Sequence, residues 1–133
     1  MTRIESDTVQ IQKPGKEVYA FLSNLNNHQM IMPEQVTDWK SEEDTCEYTI
    51  IGTGAVHLKV KVRRENHLVS LEPNGRIPFP FEVFWHISPH HAHCEVKVEI
   101  HADLNPILRM MAMNPLKSFI NQQVHNLQKR LDG

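Results

Sequence analysis

Cys94-Glu95-Val96-Lys97-Val98-Glu99-Ile100-His101-Ala102 alternates apolar and polar side chains along its whole length. Successive side chains of a strand point to opposite faces, so this segment has one dry face and one wet face. The same period of two returns at 56–63, where Val56, Leu58, Val60 and Val62 alternate with His57, Lys59, Lys61 and Arg63. Strands of this kind belong to an antiparallel sheet covered on one side only. Weaker strand patterns occupy 36–40, 45–51, 67–72 and 81–88, with turn-rich segments at 52–54, 65–66, 73–75 and 89–92 between them. Connections this short predict a meander of antiparallel neighbours.

The flanks of the sheet carry a different period. Residues 3–12 read as a first strand, and a change of parity between Ile4 and Val9 predicts a bulge or bend there. Pro14 then suits the first turn of a helix, and Val18, Phe21, Leu22 and Leu25 make one apolar stripe after it. Met30, Ile31 and Met32, closed by Pro33, predict a second short helical turn. After Leu104 the period of 3.6 returns for good, with Asn105 as N-cap and Pro106 as first helical residue. A broad stripe from Ile107 through Leu116 and Val124 to Leu131 predicts a final helix of about 25 residues, nearly 38 Å long. Pro115 is expected to bend it, because its ring clashes with the preceding turn. The class is therefore α+β, with a curved antiparallel sheet of about seven strands around a long C-terminal helix.

The totals narrow the function classes. A chain of 133 residues is one domain, 1–133, and buries enough surface to need neither a disulfide nor a metal. Its net charge of -2 offers no general attraction to nucleic acid or anionic membrane. Lys59, Lys61, Arg63 and Arg64 form a basic stripe, but no aromatic residues lie between them as stacking platforms, and cross-strand pairing with glutamates is their expected use. No apolar run approaches the length of a membrane span and no leader is apparent, so a cytoplasmic protein without stable membrane insertion is expected. Cys46 and Cys94 lack metal-type spacing and read as reduced, partly buried thiols. His86, His90, His91 and His93 cluster, yet no acidic residue or cysteine stands at ligand spacing, and no metal is assigned. With no nucleophile elbow, P-loop, dinucleotide fingerprint or HExxH, no cofactor and no catalytic residue are assigned either.

The run Ile11-Gln12-Lys13-Pro14-Gly15-Lys16-Glu17-Val18-Tyr19-Ala20-Phe21-Leu22, the segment Phe84-Trp85-His86-Ile87-Ser88-Pro89 and the closing helix resemble the SRPBCC superfamily, which includes START-type, birch-pollen-allergen-like and polyketide cyclase/dehydrase-like proteins. The likeness covers essentially the whole chain and rests on pattern and element order. It implies a helix-grip fold, with two short helices after strand one and an apolar cavity between sheet and final helix. The implied partner is a hydrophobic or amphiphilic small molecule such as a lipid, quinone or polyketide-like compound. Strand parity places Val56, Leu58, Val60, Val83, Trp85, Val96 and Val98 on the inner face. Met110, Met113 and Phe119 face them from the helix, and Trp39 and Tyr48 supply polar contacts at the rim. Two other uses stay open. A cyclase or dehydratase would need Glu82 and His86, or Tyr48, turned into the cavity as acid and base, and an interaction module would have a filled cavity with an exposed apolar patch.

Overall fold

The computed structural model describes residues 1–76 and 79–132. Two short strands, β1 (Thr2–Glu5) and β2 (Val9–Ile11), precede α1 (Gly15–Ser23) and a 3-10 helix (Leu25–Ile31). Six more strands follow as a meander: β3 (Val36–Ser41), β4 (Thr45–Ile50), β5 (Gly54–Arg64), β6 (Leu68–Pro73), β7 (Phe81–Pro89) and β8 (Cys94–Ala102). The long helix α2 (Pro106–Asp132) closes the described chain. All pairings are antiparallel, in the order β1-β8-β7-β6-β5-β4-β3, with β2 also on β8. The described residues thus form one open sheet of eight strands, in which the first strand expected from the sequence is two pieces.

Its break explains the parity change. Ile4 and Val9 both face the core, and residues 6–8 between β1 and β2 fall outside the paired register and meet other groups. Ser6 exchanges bonds with Val98, its N–H donating to the Val98 carbonyl and its hydroxyl accepting from the Val98 N–H, both at 2.9 Å. Asp7 turns to α2, where its N–H donates to Asn121 Oδ1 at 2.7 Å and its carboxylate meets His125 Nε2 at 2.9 Å.

A second irregularity lies in β5. The register with β6 shifts between Val60 and Val62, so the inward row stops at Val60, and Val62 pairs with Ser70 and is 38% exposed. The sequence alternation overran by one residue because a bulge reverses parity without altering the pattern. Arg63, displaced by the shift, donates to the Ser23 carbonyl and to Asp44 Oδ1, both at 2.6 Å.

The helices start where expected. Gly15 opens α1 directly after Pro14 and lies against Pro89, where a Cβ would come within 2.7 Å of the proline's own Cβ. The Asn105 side chain accepts from the Leu108 N–H at 2.9 Å and caps α2, which continues through Pro115. Phe119, Ile120, Gln123, Val124 and Leu127 are the buried residues of α2. They press on β1, β2, β8 and the 3-10 helix, while α1 covers β6 and β7.

Candidate functional site

The inner face of the sheet is sealed at one side and open at the other. Val83, Trp85 and Ile87 of β7 and Val96, Val98 and Ile100 of β8 are buried. On β5 only Leu58 is fully covered, and Val56 and Val60 remain half-buried, as do Val36 and Trp39 of β3 and Ile50 of β4. The helix shows the same division. Its second half is buried, Met113 and Leu116 are half-buried, and Ile107, Met110 and Met111 before them are exposed. α2 packs on β1, β2, β8 and the 3-10 helix, and Ile107, Met110 and Met111 near its start stay uncovered. Leu104, Pro106, Arg109, Met110 and Met113 line an open groove of about 370 Å³ there. Leu104 and Met113 also pack on the core, which makes them the groove's floor.

The residues singled out from the sequence divide accordingly. Val83, Trp85, Val96, Val98 and Phe119 are core residues on the sealed side, and Leu58 is buried on β5. Val56, Val60 and Met113 are the inward residues that stay partly open. Met110 departs from the inward set, being 78% exposed and bordering the groove from the solvent side. Tyr48 is deeper than a rim, 6% exposed, with Trp39 stacked on it at 5.4 Å between ring centroids. Burial raises its phenol pKa, so the hydroxyl stays protonated and can donate. Trp39 does not offer a free polar contact, because its indole N–H donates to Ser41 Oγ at 2.9 Å. Ser41 in turn donates to Asn26 Oδ1 at 2.6 Å.

Glu82, Phe84 and His86 lie on the outer face, which overturns the register that would have turned an acid and a base into the cavity. Trp85 pairs with Val98, and that pairing fixes the parity of β7. Glu82 accepts from Lys61 Nζ at 2.6 Å and Lys59 stands 3.9 Å from Glu72, so the basic stripe is engaged across strands. His86 is 3.7 Å from Glu99 Oε2, and its pKa is lowered, foremost by burial, against the upward pull of that carboxylate. Glu99 itself is 3% exposed. Burial alone would raise its carboxyl, but bonds from His101 at 2.9 Å and Lys97 at 3.0 Å outweigh that and hold it down to about 2. This is a charge-paired patch that fixes β1, β7 and β8 together on the outside of the sheet.

The turn histidines His90 and His93 stack at 4.8 Å, and His90 stands 3.7 Å from Glu95. Among the described residues no group of three or more His, Cys, Asp or Glu is arranged to hold a metal ion. Cys46 and Cys94 are free and buried, and burial pushes the Cys46 thiol up to about 12, far from the thiolate a metal would need.

One buried group escaped the sequence reading. His28 is 1% exposed, its ring edge-on to Trp85 at 6.0 Å between centroids, with Nε2 2.8 Å from the Leu22 carbonyl. A carbonyl only accepts, so Nε2 of the ring carries a proton. Burial lowers its pKa to about 4. Leu25, His28 and Ile31, the buried residues of the 3-10 helix, are spaced by three, which is the signal that would have placed His28 inside.

No protein-family model matches the sequence, and no curated protein matches it. Solved structures do. The protein XoxI from Bacillus cereus superposes with a TM-score of 0.78 at 10% identity, over 98% of this chain and 96% of that one. A START superfamily protein from Mycobacterium smegmatis gives 0.69 at 13% identity, over 97% and 96%. The di-domain ARO/CYC BexL from the BE-7585A biosynthetic pathway gives 0.74 at 13% identity, over 97% of this chain and 46% of that one. The chain thus has the START/polyketide cyclase-like fold. Among the described residues no helix is long and apolar enough to cross a membrane.

Proposed function

We propose that the chain is a single ligand-binding domain that holds a hydrophobic or amphiphilic small molecule, of the lipid, quinone or polyketide-like kind, between the sheet and the first half of α2. The observation that carries this reading is incompletely covered apolar surface on both the sheet and the last helix. Val56 and Val60 on β5 stay half-buried while Leu104, Met110 and Met113 line a groove at the helix end. Apolar surface that a ligand removes from water gains roughly 25 cal/mol per Å² before the costs of association. Unbranched methionines adapt to ligands of varied shape, which suits a permissive site. Tyr48 would orient a polar end by donating its proton-bearing hydroxyl, and with Glu82 and His86 outside, the binding reading is favoured over an acid/base enzyme. Two free buried cysteines suit a reducing, cytoplasmic setting.

A neutral, polarity-sensitive dye such as Nile red tests this. Saturable emission at one dye per folded chain is expected, with a dissociation constant in the micromolar range and about tenfold weaker binding for Met113→Gln. Absence of saturable emission from folded protein would refute it. If that protein also self-associated through Ile107, Leu108, Met110 and Met111, these exposed residues would instead mark an interaction module.

A further inference from the structure

Among the described residues, the apolar side of β4 and β5 carries one hydroxyl without a partner. The inward residues there are uncharged: Cys46, Tyr48 and Ile50 on β4, and Val56, Leu58 and Val60 on β5. The charges of the same strands lie on the opposite parity and are met there, Glu47 by His57 at 3.1 Å and Lys61 by Glu82 at 2.6 Å. Other interior polar groups are taken. The Trp39 indole donates to Ser41 Oγ at 2.9 Å, His28 Nε2 to the Leu22 carbonyl at 2.8 Å, and the Gln123 amide to Met32 Sδ at 3.5 Å. Tyr48 differs. It is 6% exposed, yet among the described residues no hydrogen bond involves its Oη. Nor is that atom sealed in, since the one sealed side-chain polar atom without a partner among the described residues is Ser23 Oγ. Buried hydroxyls are ordinarily paired, because an unpaired one forfeits the bonds that water gave it. Trp39, stacked on the phenol with 12° between the rings and tied down through Ser41, keeps it from swinging elsewhere.

We propose that Tyr48 sets the specificity of the cleft, and that the ligand carries an uncharged carbonyl whose oxygen accepts a hydrogen bond from the Tyr48 hydroxyl. This rests on the binding reading above and narrows it to ketones, quinones and esters. Conjugation with the ring draws on the phenol's oxygen lone pair, so the group donates better than it accepts and suits an acceptor on the ligand. A carboxylate or an ammonium would be brought against a wall that carries no charge, and would lose its water without compensation. Val56, which pairs with Tyr48 across the ladder, and Ile50, two residues further on, stay half-buried and offer apolar surface to the carbon skeleton beside the carbonyl.

The test uses three probes of similar shape, 2-acetylnaphthalene, 2-ethylnaphthalene and 2-naphthoate, each displacing Nile red from the full chain and from Tyr48→Phe. Affinities are compared as ratios within each protein, because the hydrocarbon is the more water-averse probe and that difference cancels between proteins. Tyr48→Phe should lower the ketone-to-hydrocarbon ratio about fivefold, the worth of one hydrogen bond. The unaltered chain should bind naphthoate about tenfold more weakly than the ketone. The urea midpoint of Tyr48→Phe should match that of the parent, since the hydroxyl holds nothing within the chain. An unchanged ratio, or naphthoate bound as tightly as the ketone, overturns the carbonyl assignment and leaves the cleft standing. A clearly lowered midpoint overturns it as well, because the hydroxyl would then be bonded inside the fold. Saturable Nile red that the ketone cannot displace has the same consequence. Failure of Nile red itself to bind folded protein overturns the binding reading and this one with it.

Discussion

Acidification from pH 7 to pH 4 is expected to remove about 3 kcal/mol of folding stability through His28 alone. The ring is buried and neutral in the folded chain, with its pKa lowered from 6.5 to about 4, foremost by burial and in spite of the Leu22 carbonyl. In the unfolded chain it takes up a proton near pH 6.5. The folded pKa is the lower one, so the full contribution is present above 6.5 and is lost as the pH falls through the window from 6.5 to 4. A second loss follows further down, where Glu99, held down to about 2 from 4.5, contributes stability that disappears between those values. Urea unfolding at half-unit intervals of pH measures both. A His28→Gln variant keeps a donor for Leu22 and cannot charge. It should show a clearly shallower fall from pH 6.5 to 4.5, with His86, whose pKa is also lowered, supplying part of what remains, and retain the fall below. An identical slope in parent and variant over the upper window would show that His28 is not held neutral.

Trp85→Ala is expected to cost about 3–5 kcal/mol, whereas Met110→Ala should cost less than about 0.5 kcal/mol. Trp85 is 1% exposed, faces β8 through Val98, and carries the edge contact to His28. Its removal empties the centre of the sealed half of the fold, and the backbone around β7 and β8 is too tightly laddered to close the gap. Met110 touches solvent over most of its surface and supports nothing beneath it. Chemical denaturation followed by far-UV circular dichroism separates the two, and comparable costs would mean that α2 is packed along its whole length.

The sequence made the sheet readable because parity is a binary signal: 94–102 and 56–60 have one register that keeps valines dry, and the structure adopts it. Asn105-Pro106 likewise marks a helix start through chemistry that few other positions share. Burial along α2 was less readable. A stripe shows which side of a helix is apolar, but not where the surface beneath it ends. At 1.5 Å per residue, α2 is about 40 Å long, while a sheet of these strands spans roughly 30 Å, so part of the stripe must overhang. That overhang contains Met110 and created the groove. Glu99 was hidden for a different reason: it is a polar residue whose burial depends on the partners Lys97, His101 and Arg3, whereas His28 carried a signal in its spacing of three from Leu25 and Ile31. The bulge at Val60–Val62 left no mark because both residues are valine.

The most direct test of the cleft is a titration with decanol, which carries no charge, followed through the methionine methyl resonances. Met110 and Met113 line the groove, while Met1 lies beside the first strand and Met30 borders a separate hollow with Asn126, Lys129 and Arg130. Saturable shifts at Met110 and Met113, with Met1 and Met30 unmoved, are the predicted result. Shifts of similar size at all four methyls, or none at Met113 in a folded chain, would contradict it.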